Sequence, residues 1–165
     1  MKGSPTAPCH KTEFLALESP IGWLGLSLCD GALYSLDFLS SQPDGAQIAP
    51  ENHPLIQALR GYFANPSQRF DVPLMLAGTP YQRRVWQALC QIPSGKTRTY
   101  GDLAAELGSG ARAIGMACRT NPCPILVPCH RILAKTGLGG YSGATTGVWP
   151  DIKRWLLRHE GLNLD

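Results

Sequence analysis

The chain has 165 residues, 44% hydrophobic and 16% charged. That suffices for a packed core in one or two small domains and excludes a disordered chain. No run approaches the roughly 18 apolar residues of a membrane span, and residues 1–13 lack the apolar stretch of a secretory signal, so a soluble cytoplasmic protein with no membrane partner is expected.

The net charge of +3 is unevenly spread: residues 1–79 carry −3 and residues 80–165 carry +6. A chain that docks on phosphates through one half has this asymmetry, and so does a chain with uneven surface charge and no partner. Without a secretory signal, the six cysteines (Cys9, Cys29, Cys90, Cys118, Cys123 and Cys129) are expected to be reduced thiols rather than a disulfide framework.

In chain order, residues 12–18, 21–29 and 32–39 alternate in hydropathy and read as strands, with Ser19-Pro20 and Asp30-Gly31 as turns; Asp-Gly between such runs is a hairpin signal. Residues 42–52 are polar and read as a loop. Residues 53–65 place Leu55, Ile56, Leu59, Tyr62 and Phe63 at helical spacing. Residues 70–76 read as a further strand.

Thr79-Pro80 starts a helix, with a capping hydroxyl followed by proline in the first turn. Its inward residues are Val85, Trp86 and Leu89, and it ends near Ile92-Pro93. Thr99 caps a helix over 100–107 that Gly108 ends, and a short helix over about 111–118 follows, stopped by Asn121-Pro122. The pair has helix-turn-helix proportions, which tight helix packing alone also produces. Residues 124–128 read as a short strand or extended segment delivering Cys129-His130-Arg131. A glycine-rich loop over 137–143 precedes a last helix, roughly 151–160, with Ile152, Trp155 and Leu156 inward.

Cys129 is the nucleophile candidate, because a thiolate reacts and the neighbouring His130 and Arg131 make an electropositive setting. A buried structural cysteine is the alternative. Cys118, Cys123, Cys129 and His130 lack zinc-type C-x-x-C spacing, and Cys9, His10, Cys29 and His53 form a less favoured N-terminal zinc set, so no metal is assigned. The loop over 137–143 lacks the Lys-Ser/Thr of a phosphate loop and the strand-turn-helix setting of a dinucleotide fingerprint, so no cofactor is indicated.

The stretch Asn121-Pro122-Cys123-Pro124-Ile125-Leu126-Val127-Pro128-Cys129-His130-Arg131 closely resembles the active-site stretch of the O6-alkylguanine-DNA alkyltransferases, or methylated-DNA–protein-cysteine methyltransferases. Gly78-Thr79-Pro80-Tyr81-Gln82 through Val85-Trp86, Ile92-Pro93-Ser94-Gly95-Lys96-Thr97 through Leu103-Ala104, Ala111-Arg112-Ala113-Ile114-Gly115, Tyr141-Ser142-Gly143 and Trp155 through Gly161 extend the likeness in order. It covers about residues 77–163 densely and the N-terminal half in outline.

The resemblance implies an α+β fold: an N-terminal structural domain over 1–76, a small antiparallel sheet with a helix (ribonuclease H-like), then a mainly helical, winged-helix-like domain with the helix-turn-helix over 77–165, which binds DNA and transfers the alkyl group. It implies direct reversal of O6-alkylguanine damage, with O4-alkylthymine as a further candidate substrate. Transfer is stoichiometric, onto Cys129, because nothing evident in the chain cleaves a thioether. By the same resemblance His130 takes the thiol proton through water, Glu160 orients His130, Tyr100 donates to the guanine ring, and Asn121 is the hinge before the active-site stretch. Arg112 fills the base stack, while Ala111, Ala113, Gly115 and Arg119 face DNA from the minor groove. Val127, Tyr141, Ser142 and Gly143 belong to the base pocket. The expected partner is double-stranded DNA bound by a monomer, on the nucleoid if prokaryotic.

The link from Ser142 to Lys153, with Trp149-Pro150, is longer than the family's usual one. Two rivals are a lesion binder of the alkyltransferase-like kind, which lacks the acceptor cysteine that this chain has, and a redox- or zinc-sensing DNA binder using Cys118, Cys123 and Cys129.

Overall fold

The computed structural model describes residues 8–141, 144 and 147–164. They fall into two compact units, Met1–Ala77 and Gly78–Asp165.

In the first unit, β1 (Thr12–Ser19), β2 (Gly22–Cys29) and β3 (Ala32–Leu39) form an antiparallel meander. The turn between β2 and β3 places Asp30 at φ 48° and Gly31 at φ 83°, the left-handed pair that Asp-Gly tolerates. The sheet order is β3-β2-β1-β4, because β4 (Gln47–Ile48) pairs parallel with β1. The sheet is therefore mixed, and the expected loop over 42–52 contains an edge strand. A two-residue pairing has no hydropathy period to reveal it.

Helix α1 (Pro54–Ala64) starts at His53, whose Nδ1 accepts from the Leu55 amide at 3.1 Å. It buries Leu55, Ile56, Leu59 and Tyr62, and Arg60 ties it to β1 through the Glu18 carbonyl at 3.1 Å. The expected strand over 70–76 reduces to one bridge, Leu74 to Leu33. Pro73, in the middle of that short run, has no amide to pair and leaves too few paired positions for a strand.

Cys9 and Cys29 form a disulfide, Cα–Cα 5.7 Å, which corrects the expectation of reduced thiols at these two positions. The hairpin register sets Thr12 opposite Cys29 and so delivers Cys9 beside it, within disulfide range. Cys90, Cys118, Cys123 and Cys129 are free. The Asp30 carboxylate lies with the two bonded sulfurs, their donor atoms within 4.8 Å of one another, while His53 serves as the α1 cap.

In the second unit, α2 (Pro80–Cys90) begins with a capping box between Thr79 and Gln82 and buries Val85, Trp86 and Leu89. It supports the pair α3 (Tyr100–Leu107) and α4 (Ala111–Arg119). The indole of Trp86 donates to the Ala117 carbonyl at 2.8 Å, Arg84 donates to the Leu107 carbonyl at 3.0 Å, and Tyr81 and Ser109 share a hydrogen bond of 2.7 Å. Gly108, left-handed at φ 63°, ends α3 and opens the tight turn to α4.

Strands β5 (Arg98–Thr99) and β6 (Ile132–Leu133) pair in parallel, a second short pairing without a sequence signal. The last helix, α5 (Val148–His159), starts three residues before the expected position, because Pro150 in the first turn lacks only an amide that would be unpaired there. Its buried face is Pro150, Ile152, Lys153, Leu156 and Leu157. Trp155, expected inward, is instead half-buried and stacks on His159 at 4.8 Å between ring centroids. No helix among the described residues is long and apolar enough to cross a membrane.

Candidate active site

The segment between α4 and β6 carries the acceptor candidate, and it is a tight turn rather than the expected short strand or extended segment. The Val127 amide donates to the Cys123 carbonyl at 2.9 Å, and Pro124 bridges to Val127. Ile125 sits at φ 76°, a region that a β-branched side chain rarely enters. Such strain persists only where the surroundings over-determine it. Here Asn121, itself buried, does so. Its Oδ1 accepts from the Cys123 amide at 3.0 Å, and its Nδ2 donates to the Val127 carbonyl at 2.8 Å.

The Val127 carbonyl also accepts from the Cys129 amide at 2.8 Å. With two donors already on it, Val127 holds the turn together and is not on the cavity wall. Cys129, His130 and Arg131 then form a single 3-10 turn, in which Cys129 is 7% exposed and His130 is fully buried.

Behind Cys129 lies a buried polar cluster. Nε2 of His130 is 2.9 and 3.0 Å from the two Glu160 carboxylate oxygens. Nε of Arg131 donates to the same oxygens at 2.7 and 3.1 Å, and its Nη1 donates to the Ile92 carbonyl at 2.6 Å. Burial pushes the Glu160 carboxyl up, but the hydrogen bonds it accepts from His130 and Arg131 and the positive charge of Arg131 outweigh it, so the group lies below its ordinary value and is ionised. Burial pushes His130 below its ordinary value, more than the Glu160 contact raises it. His130 is therefore a neutral imidazole with Nε2–H donating to Glu160. Its Nδ1 is buried without a hydrogen-bond partner among the described residues, which leaves a lone pair on the residue that follows Cys129 in the chain.

In front of Cys129 is a cavity of about 110 Å³ lined by Tyr100, Gly115, Cys118, Arg119, Cys129, Gly140 and Tyr141. Tyr100 is the first residue of α3, fixed by the Thr99 cap, whose side chain accepts from the Asp102 amide at 3.0 Å. Burial, and secondly the nearby Cys118 and Cys129 sulfurs, push its phenol up to about 12. The hydroxyl thus remains a proton donor at any ordinary pH.

The fold therefore brings Tyr100, Gly115, Arg119, Cys129 and Tyr141 to one cavity and sets His130, Glu160 and Asn121 behind it. Ala111, Arg112 and Ala113 stand on the exposed start of α4, with Met116 53% exposed farther along. Arg112 makes no hydrogen bond or ion pair with any described residue, so its guanidinium is available to another molecule. Ser142 and Gly143 lie outside the described residues.

Sequence reasoning missed three contributors. Arg131, read only as nearby charge, is the second partner of Glu160. Cys118 lines the cavity wall from α4. Lys153 is fully buried on α5, and its Nζ donates to the carbonyls of Ile132 at 2.6 Å and Gly140 at 3.1 Å. Its spacing was the available signal: seven residues before Glu160, it lies two turns away on the same helical face.

Residues 80–162 match the family model described as 6-O-methylguanine DNA methyltransferase, DNA binding domain. The methylated-DNA–protein-cysteine methyltransferase of Mycolicibacterium paratuberculosis is 39% identical over 139 residues, which cover 79% of this chain and 84% of that protein. Its counterpart in Methanosarcina barkeri is 37% identical over 157 residues, covering 90% and 96%. The crystal structure of Mycobacterium tuberculosis O6-methylguanine methyltransferase superimposes with a TM-score of 0.76 at 37% identity, over 91% of this chain and 93% of that one. Mycobacterium tuberculosis OGT in complex with DNA gives 0.76 at 38% identity, over 90% and 92%. With a strained, stapled turn presenting a cysteine to a cavity, a buried His–Glu–Arg cluster behind it and this extent of shared sequence, the chain belongs to the methylated-DNA–protein-cysteine methyltransferase family.

Proposed function

We propose that this chain reverses O6-alkylguanine damage in double-stranded DNA by transferring the alkyl group to its own Cys129, once per molecule. The observation that carries this reading is the position of Cys129, at the cavity with Tyr100 on the wall and the neutral His130 held by Glu160 behind. Cys129 is the acceptor, and the Nδ1 lone pair of His130 takes the thiol proton through a water. The thiolate then displaces guanine from the alkyl carbon. The S–C bond forms, the C–O6 bond breaks, and the guanine gains a proton. Tyr100 donates toward the guanine ring as its negative charge develops, and a donor aimed at developing charge lowers the barrier.

The base must leave the duplex to reach the cavity, at a cost of a few kcal/mol. Arg112, exposed at the start of α4, fills the vacated stack. Ala111, Ala113 and Gly115 keep that helix face small enough for the minor groove, and Arg119 lies where the groove meets the cavity. Asn121 is the hinge that fixes the acceptor turn to α4. Tyr141, with Ser142 and Gly143, covers the base. The protein works as a monomer in the cytoplasm, on the nucleoid in a prokaryotic host. Residues 1–76 have a structural role, and residues 77–165 carry DNA binding and transfer. The same chemistry extends to O4-alkylthymine.

The test is the intact mass of the protein after incubation with duplex DNA bearing one O6-methylguanine, followed by peptide mapping. One added methyl, on Cys129, with the reaction stopping at one equivalent, is expected. Transfer that survives in Cys129→Ala overturns the mechanism.

A further inference from the structure

Lys153 is a large, charged side chain with no exposure to solvent. Burying an ammonium is costly unless it is partnered. Two carbonyls accept from it, and its Nζ stands 5.9 Å from the centroid of the Tyr100 ring, within cation–π range. No carboxylate among the described residues lies within ion-pair distance; the nearest acidic residue on its own helix face, Glu160, is taken by His130 and Arg131.

The titratable and charged groups that face Lys153 are Tyr100 on α3, Cys118 on α4, and Cys129 and His130 on the acceptor turn. His130 is neutral and Tyr100 keeps its proton. Burial, with Cys129 second, holds the Cys118 thiol well above its ordinary value, so it too remains protonated. Of the two thiols, Cys129 is the one on the turn that Lys153 grips through Ile132, which makes its sulfur the counter-charge in this set. Burial lowers Lys153 to about 8, and the Cys129 and Cys118 sulfurs work in the opposite direction, so the group is mostly charged at neutral pH.

The two carbonyls also have distinct positions. Ile132 immediately follows the Cys129-His130-Arg131 turn, and Gly140 is on the cavity wall beside Tyr141. We propose that Lys153 is a positioning residue of the transfer site, whose ammonium clamps the acceptor turn to the cavity wall and favours the thiolate form of Cys129. The inference rests on Cys129 being the acceptor.

Lys153→Gln keeps a donor and removes the charge, Lys153→Met removes both, and Lys153→Arg keeps the charge. In each, Cys129 is labelled with iodoacetamide across a pH series, with peptide mapping to separate it from Cys90, Cys118 and Cys123. Methyl transfer from duplex DNA is measured in parallel.

The neutral variants are expected to raise the labelling midpoint by about one pH unit and slow transfer at pH 7 about tenfold, with Lys153→Arg restoring the midpoint. An unchanged midpoint in the neutral variants overturns the inference, whatever their melting temperatures. Should neither fold, the unmodified chain decides: a midpoint below the roughly 8.5 of a free cysteine supports the inference, and one at or above it overturns it. A lowered midpoint with no methyl accepted from DNA overturns the acceptor reading itself, and this inference with it.

Discussion

Each buried polar side chain near Cys129 has an electrostatic assignment that predicts a pH response. His130 lies below its ordinary value, so between about 6.5 and its folded value it is neutral in the fold and protonated in the unfolded chain. The unfolded state then binds the extra proton, and stability falls as pH falls through that window. Glu160, also lowered, contributes stability that is present above about 4.5 and lost as pH falls through its folded value. Melting temperature followed from pH 8 to 3.5 should decline in two stages, and His130→Gln should remove the upper one. A decline that begins only below pH 4.5 contradicts the neutral imidazole. Glu160→Gln leaves the Arg131 guanidinium, 11% exposed, without its counter-charge. Breaking such a pair costs about 3 kcal/mol, read as a lower melting temperature at pH 7. Tyr100→Phe should fold normally, since its hydroxyl serves the cavity, and slow transfer about 100-fold in single-turnover kinetics.

At the scale of elements, Gly139 brings the chain close against Tyr100 on the cavity wall. Gly139 has φ 75°, and an added Cβ would lie 3.2 Å from both the Ala134 amide nitrogen and the Tyr100 ring. Gly139→Ala therefore strains the loop and displaces Tyr100, and transfer should slow more than tenfold while α2, α3 and α4 stay folded, as circular dichroism would report. Legibility in the sequence follows the same scale. The capped helices were readable because Thr79, Thr99 and Gly108 signal their ends locally. The strands β1 to β3 were readable because their alternation runs for eight residues. The pairings of β4, β5 and β6 were not, since two residues define no period. The acceptor turn misread as extended because Ile125 and Val127 favour strands, and only the Asn121 staple, a tertiary contact, overrides them. Lys153 was missed for a related reason. Hydropathy assigns the inner face of α5 to Trp155 and overlooks a lysine whose partners are carbonyls from elsewhere in the chain.

At the scale of the whole molecule, charge is the property that acts over the longest range. The net +6 of residues 80–165 coincides with the unit that holds α4 and the cavity, while residues 1–79 carry −3. In the proposed complex the phosphate contacts come from a few cations: Arg119 on α4, with those flanking it. Each neutralised phosphate adds about 0.9 to the slope of log affinity against log salt on duplex DNA. A small contact set predicts a slope of about −2 to −4, measured by fluorescence anisotropy on an undamaged duplex. Arg119→Ala should flatten that slope by about one and weaken binding to all sequences alike, as loss of a phosphate contact does. Arg112→Ala should behave differently if its guanidinium fills the stack. Binding to undamaged duplex should change little, whereas repair within the duplex should slow far more than reaction with free O6-benzylguanine, because only the duplex reaction requires the vacated stack to be filled. Equal losses on duplex and free base would place Arg112 in the chemistry at the cavity, which its exposed position at the start of α4 argues against.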